Sequence, residues 1–138
     1  MLYMLAVIVG FGFALASIAL ARKLDAERIV FGWALIGAAF WYVGFGLYNG
    51  QTMSELTPQF VAGAVFVGLA ILGLTKSITF IGIGWVLHIF WDYLGPLLGE
   101  ASAPWWTAPA CLGFDVIVGA YILARSRGFV APAQTARS

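Results

Sequence analysis

The sequence predicts an all-α integral membrane bundle of five transmembrane helices, and three observations carry that prediction. The 138-residue chain is 62% hydrophobic and only 9% charged, against about 25% charged residues in soluble domains. Its apolar runs approach the roughly 20 residues needed to cross a bilayer. Short polar or turn-forming segments divide those runs cleanly.

The five spans read as 2–21, 29–48, 58–74, 78–98 and 107–124. "ARKLDAER" separates the first two, and "NGQTMSELTP" the second and third. "TKS" is a tight turn before the fourth span, and "GEASAPWW" precedes the fifth. Residues 1–126 form one transmembrane domain, followed by a polar tail over 127–138 that composition reads as disordered. The first span lacks the basic flank of a cleavable signal peptide and reads as a retained helix. Pro58, Pro104 and Pro109 lie near helix starts, where proline is tolerated.

Charge sets the orientation. Arg22, Lys23, Arg28, Lys76, Arg125, Arg127 and Arg137 all fall on one side of a five-span bundle, with Glu55 and Glu100 on the other. Basic residues favour the cytoplasmic side, which places the N-terminus outside and the C-terminus inside. A four-span arrangement breaks this segregation. The net charge of +1 points to no nucleic-acid partner, and isolated Gly-x-Gly pairs inside spans (Gly10/Gly12, Gly44/Gly46, Gly82/Gly84) lack the strand context of a nucleotide site. Cys111 is the single cysteine, so no intrachain disulfide forms.

A weak internal repeat runs at an offset of about 51 residues: "VFVGLAILGLTKS" (65–77) aligns with "VIVGAYILARSRG" (116–128). "GWALIGAAFWY" loosely echoes "GWVLHIFWDY". A duplicated hairpin, spans two–three and four–five, is one reading; the shared look of membrane helices is the other. The alignment sets Ala64 against Asp115 and Gly37 against His88, leaving the polar residues in the second copy alone. Small residues at four-residue spacing (Ala6, Gly10, Ala14; Ala64, Gly68) suit close helix approach, within the chain or in a homodimer.

Three ionisable side chains lie inside predicted spans: His88, Asp92 and Asp115. Each charge at mid-membrane costs about 2.5–3.5 kcal/mol even on mild scales, so such residues are paired, neutral or functional. At 1.5 Å per residue, His88 and Asp115 fall at nearly one depth, with Asp92 and Cys111 one turn further out. The i, i+4 spacings put His88 with Asp92, and Cys111 with Asp115, on shared helix faces. The three are expected to converge, with Cys111 at the edge; a structural ion-paired cluster is the alternative to a functional one.

Chemistry narrows the choices. No serine lies at the depth of His88, and a thiol in apolar surroundings is a poor nucleophile. Two carboxylates and an imidazole could ligate a metal, but H-x-x-x-D is a weak motif, and neither metal nor cofactor is assigned. Proton transfer is the natural use: a carboxyl in an apolar site favours its protonated form, with histidine as base or relay. Trp41, Trp85, Trp91 and Tyr93, with Cys111, are the candidate substrate-binding residues; aromatic faces would stabilise a cationic intermediate. Packing is the plainer role for the deeper tryptophans, and interfacial anchoring for Trp105 and Trp106. Gly95 and Pro96 would kink span four beside the site.

The elements W-x-L-H-x-x-W-D, over "WVLHIFWD", and P-W-W…C-L-G-F-D, over "PWWTAPACLGFD", resemble a family of small bacterial integral membrane proteins known only as a domain of unknown function. The resemblance covers the last 60 or so residues. It implies a bacterial cytoplasmic membrane protein with a motif-bearing C-terminal hairpin, and no activity. The histidine–acid spacing is also similar to that of five-helix sterol isomerases of the emopamil-binding type, from which no residue is carried over. The expected function is a membrane-embedded acid–base enzyme of isomerase, cyclase or hydratase type, acting on a lipid- or terpenoid-like substrate. Asp92 would donate the proton, and membrane lipids would be its surroundings. A proton- or cation-coupled transporter subunit, working as a homodimer, and an intramembrane metal-binding protein are the alternatives.

The orientation is testable: a fluorescent protein fused after Ser138 is expected to fluoresce, and alkaline phosphatase fused there to stay inactive. The reverse pattern rules the orientation out.

Overall fold

The computed structural model describes residues 1–94 and 103–128, and those residues contain five α-helices and no strand. They are α1 (Leu2–Lys23), α2 (Glu27–Tyr48), α3 (Thr57–Thr75), α4 (Thr79–Leu94) and α5 (Thr107–Ser126). The number and order match the sequence reading. Four of them, α1, α2, α3 and α5, are long and apolar enough to cross a membrane. The described part of the fourth, α4, covers 16 apolar-rich residues up to Leu94. Positions 95–98 of the expected fourth span, with Gly95 and Pro96, lie outside the described residues, as do Glu100, Arg137 and most of the polar tail.

Successive helices are antiparallel neighbours, and α5 runs parallel to α1 along its length. Going round the bundle the order is α1, α5, α4, α3, α2, with lighter contact closing α2 onto α1. Helix α4 packs on α5, α3 and α2. Its inward face carries Ile81, Gly82, Gly84, Trp85, His88 and Asp92. Gly84 admits Leu35 of α2, and Gly82 admits Ile122 and Leu123 of α5. Phe31, Leu35, Phe66, Ile81, Val118 and Ile122 fill the remaining interior.

The approach of α1 to α5 depends on two glycines. A Cβ on Gly10 would overlap the Ala110 carbonyl, and one on Gly113 would overlap the Val7 carbonyl. Lipid supplies no hydrophobic force between helices, so such backbone-to-backbone packing is what holds them. The small-residue stripe of α1, with Gly10 and Ala14 buried, therefore serves internal packing. The α3 stripe does not: Ala64 faces outward and Gly68 has open space beyond its Cα. Large apolar side chains such as Phe13, Ile29, Trp33 and Val61 are exposed, an outside fit for hydrocarbon.

Both α2–α3 and α4–α5 are antiparallel hairpins, yet the aligned positions of the repeat face differently. Gly37 and Ala64 point outward, whereas His88 and Asp115 are buried. Asp25, at φ 50°, takes the left-handed conformation that turns α1 into α2. In the α2–α3 loop the Thr52 N–H and hydroxyl both donate to Glu55, holding its carboxyl below the usual carboxylate range.

Gly113→Leu is expected to cost about 1–3 kcal/mol or more through overpacking, whereas Gly12→Ala, with nothing within 4 Å of its Cβ, stays within about 0.5 kcal/mol. Unfolding in detergent measures both. Equal losses would show that α1 does not depend on the close approach.

Candidate functional site

Helix α4 presents His88 and Asp92 to the interior one turn apart, and α5 presents Asp115 from the opposite wall. His88 Nδ1 lies 2.8 Å from Asp115 Oδ2 and 3.6 Å from Asp92 Oδ2. All three side chains are buried. The convergence read from spacing and depth is present.

A fourth residue completes the cluster. The Tyr42 hydroxyl of α2 donates to Asp92 Oδ1 at 2.8 Å. Tyr42 is not among the residues singled out from the sequence, yet arithmetic could have found it. Tyr42 is fifteen residues into α2 and Asp92 thirteen into the parallel α4, so both sit about 20 Å from the same bundle end.

The rings fix the imidazole. Phe66 meets His88 edge-on at 5.1 Å and Trp85 at 6.1 Å. Trp85 itself is held by a 3.3 Å hydrogen bond from its indole N–H to the Phe31 carbonyl. With Nδ1–H donating to Asp115, the other nitrogen carries either a lone pair or, in the cation, a second N–H. His88 Nε2 and Asp92 Oδ2 are buried and have no hydrogen-bond partner among the described residues. Unpartnered buried polar atoms are rare and costly, so these two are where chemistry or a ligand would enter.

The candidate substrate-binding residues do not stand together. Cys111 is half-buried beside Asp92, at the edge of the cluster, and Trp85 touches His88. Tyr93 lines, with Asp92, a cavity of about 230 Å³. Trp91 lines a separate groove between α3 and α4. Trp41 packs on Phe45 along the outer face of α2, on a third surface. The cavity at Asp92 is bounded otherwise by Tyr3 of α1, Ile89 and Phe90 of α4, and Ala108 and Leu112 of α5. Tyr3 and Phe90 were not singled out from sequence; nothing local marks which face of an all-apolar helix turns inward.

The pattern of a family of unknown function, DUF6010, matches residues 1–128. The chain belongs to this family. The match takes in α1 to α3 as well as the C-terminal hairpin, well beyond the last 60 or so residues that carried the sequence resemblance. No curated protein and no solved structure matches the chain. Within this DUF6010 chain, His88, Asp92 and Asp115 each offer one ligand atom, all within 4.8 Å of one another. That spacing would admit a cation, with two carboxylate oxygens and an imidazole nitrogen as donors.

Tyr42→Phe removes the donor to Asp92 and leaves both carboxyl oxygens without a close donor. The expected loss is about 1–2 kcal/mol, read from thermal unfolding in detergent. An unchanged transition would mean the Tyr42 bond contributes nothing net.

Proposed function

We propose that this protein is an intramembrane acid–base enzyme acting on an alkene-bearing lipophilic molecule, as an isomerase, cyclase or hydratase. One observation carries the proposal: Asp92 lines an otherwise apolar, aromatic-walled cavity, with one carboxyl oxygen buried and unpartnered. The proposed setting is a bacterial cytoplasmic membrane, with the basic bundle end inside and surrounding lipid as the route by which substrate arrives.

Charge balance assigns the roles. An apolar interior penalises net charge, and an imidazolium–carboxylate pair between His88 and Asp115 beside a protonated Asp92 sums to zero. Tyr42 donates to Oδ1, which leaves Oδ2 for the proton. Transfer of that proton to an alkene carbon forms a C–H bond as the π bond opens, leaving a carbocation. The faces of Tyr3, Phe90 and Tyr93 stabilise it. Return of a neighbouring proton to the Asp92 carboxylate closes an isomerisation with no net proton consumed. Attack by a second alkene would close a ring and move the cation, and attack by water would give an oxonium ion; loss of a proton to the Asp92 carboxylate then completes either reaction and restores the acid. His88 and Asp115 hold Asp92 in place and supply the compensating charge pair.

A second reading has its own observation. Three ligand atoms within 4.8 Å would suit a cation held for transport or structure. Elemental analysis of purified protein separates the readings: a stoichiometric metal lost in Asp115→Asn favours the cation.

Membranes containing the protein, incubated in heavy water, are expected to incorporate deuterium into a lipid-extractable species detected by mass spectrometry. Asp92→Asn and Asp115→Asn should abolish incorporation while remaining folded and purifiable. Full incorporation by both variants would end the acid–base reading.

A further inference from the structure

A second polar centre lies at the other end of the bundle, where the α1–α2 turn, the α3–α4 turn and the end of α5 meet. Asp25, Glu27, Arg28, Lys76, Ser77, Ile78 and Arg125 surround a cavity of about 440 Å³ there. Its volume is within the roughly 300–1,000 Å³ of small-molecule sites.

The charges are not equally committed. Glu27 is buried, although the sequence places it in a polar connector, and its needs are met internally. Arg125 pairs with it through Nη2 at 3.1 Å and Nε at 3.2 Å, and the Tyr121 hydroxyl donates to its other oxygen. Arg28 differs. Its Nε donates to the Gly73 carbonyl at 2.7 Å, which anchors the guanidinium, while its Nη2 is buried with no partner among the described residues. Lys76 is exposed on the cavity rim and forms no ion pair among the described residues. Setting Glu27 against Arg125 leaves Arg28 and Lys76 facing Asp25 alone, a surplus of one positive charge in a cavity with an anchored, under-used guanidinium.

We infer that this cavity binds the phosphate of an anionic phospholipid headgroup, with Arg28 and Lys76 as its principal ligands and Ser77 within the same wall. Arginine and lysine together are the usual phosphate partners. A lipid rather than a free anion fits the position. The cavity lies at the helix ends, where headgroups sit, and Leu24 and Ile29, next in sequence to its lining residues Asp25 and Arg28, are exposed apolar side chains that would meet acyl chains. The same bundle end holds Arg22, Lys23 and Arg127, so the local potential draws anionic lipid.

The test uses purified full-length protein, with native mass spectrometry for retained lipid and thermal unfolding for stabilisation. Phosphatidylglycerol is expected to be retained and to raise the transition, whereas phosphatidylcholine is not. Lys76→Gln removes a side chain with no structural partner and should weaken phosphatidylglycerol binding about fivefold. Arg28→Gln should weaken it at least as much, and Arg127→Gln, outside the cavity, should weaken it less than either. Equal retention of the two lipids, or undiminished binding in Lys76→Gln, overturns the site. Stabilisation by inorganic phosphate equal to that by lipid overturns the lipid assignment.

Discussion

The hydrogen bond between His88 and Asp115 is the constraint on which the rest of the bundle depends. Inside hydrocarbon no water can satisfy either group, so α4 and α5 must meet at that level. Once they do, the register of the hairpin is fixed, and every other contact along it has to accommodate the spacing. Gly82 lets Ile122 and Leu123 close in below the pair. Gly119 does the same from α5, where a Cβ would stand 3.0 Å from Val86. Asp92 then follows from helix periodicity, one turn on, and needs a donor of its own. Tyr42 supplies it, so α2 is tied to the same level.

This requirement accounts for α4 packing on three other helices. The polar groups of α4 demand neighbours on three sides, and α5, α3 and α2 provide them: Asp115 as partner, Phe66 as cover, Tyr42 as donor. Helix α1 joins α5 through backbone proximity at Gly10 and Gly113. Its first turn nevertheless matters to the site, because Tyr3 closes one wall of the cavity at Asp92. A helix added for packing thus becomes part of the wall beside Asp92.

The fold was legible in the sequence because its signals are of the kind composition carries: apolar runs of the right length and polar breaks between them. His88, Asp92 and Asp115 were legible because ionisable groups inside such runs are conspicuous and helical depth can be counted. Trp41 and Tyr42 show where that legibility stops. They are adjacent, one on the outer face and one bonded to Asp92, and no amphipathic pattern separates them, since lipid and protein interior are equally apolar. Only the crossing of α2 over α4, a tertiary fact, selects between them. Glu27 was hidden for a different reason. It stands in a charged connector that reads as solvated, while its partners Tyr121 and Arg125 lie 94 and 98 residues away.

The two polar centres differ in how they balance charge, and that difference separates their chemistry. At mid-bundle two acids and one imidazole can reach neutrality by placing protons, with Tyr42 directing one carboxyl oxygen and leaving the other open. Such a centre is suited to moving a proton, because its charge state changes without ions entering or leaving. At the basic end the surplus is carried by arginine and lysine, which do not give up protons under ordinary conditions. That charge is met only by an anion from outside. On the proposed readings the first centre would work on a neutral lipophilic molecule, and the second would take the permanent negative charge of a phosphodiester headgroup.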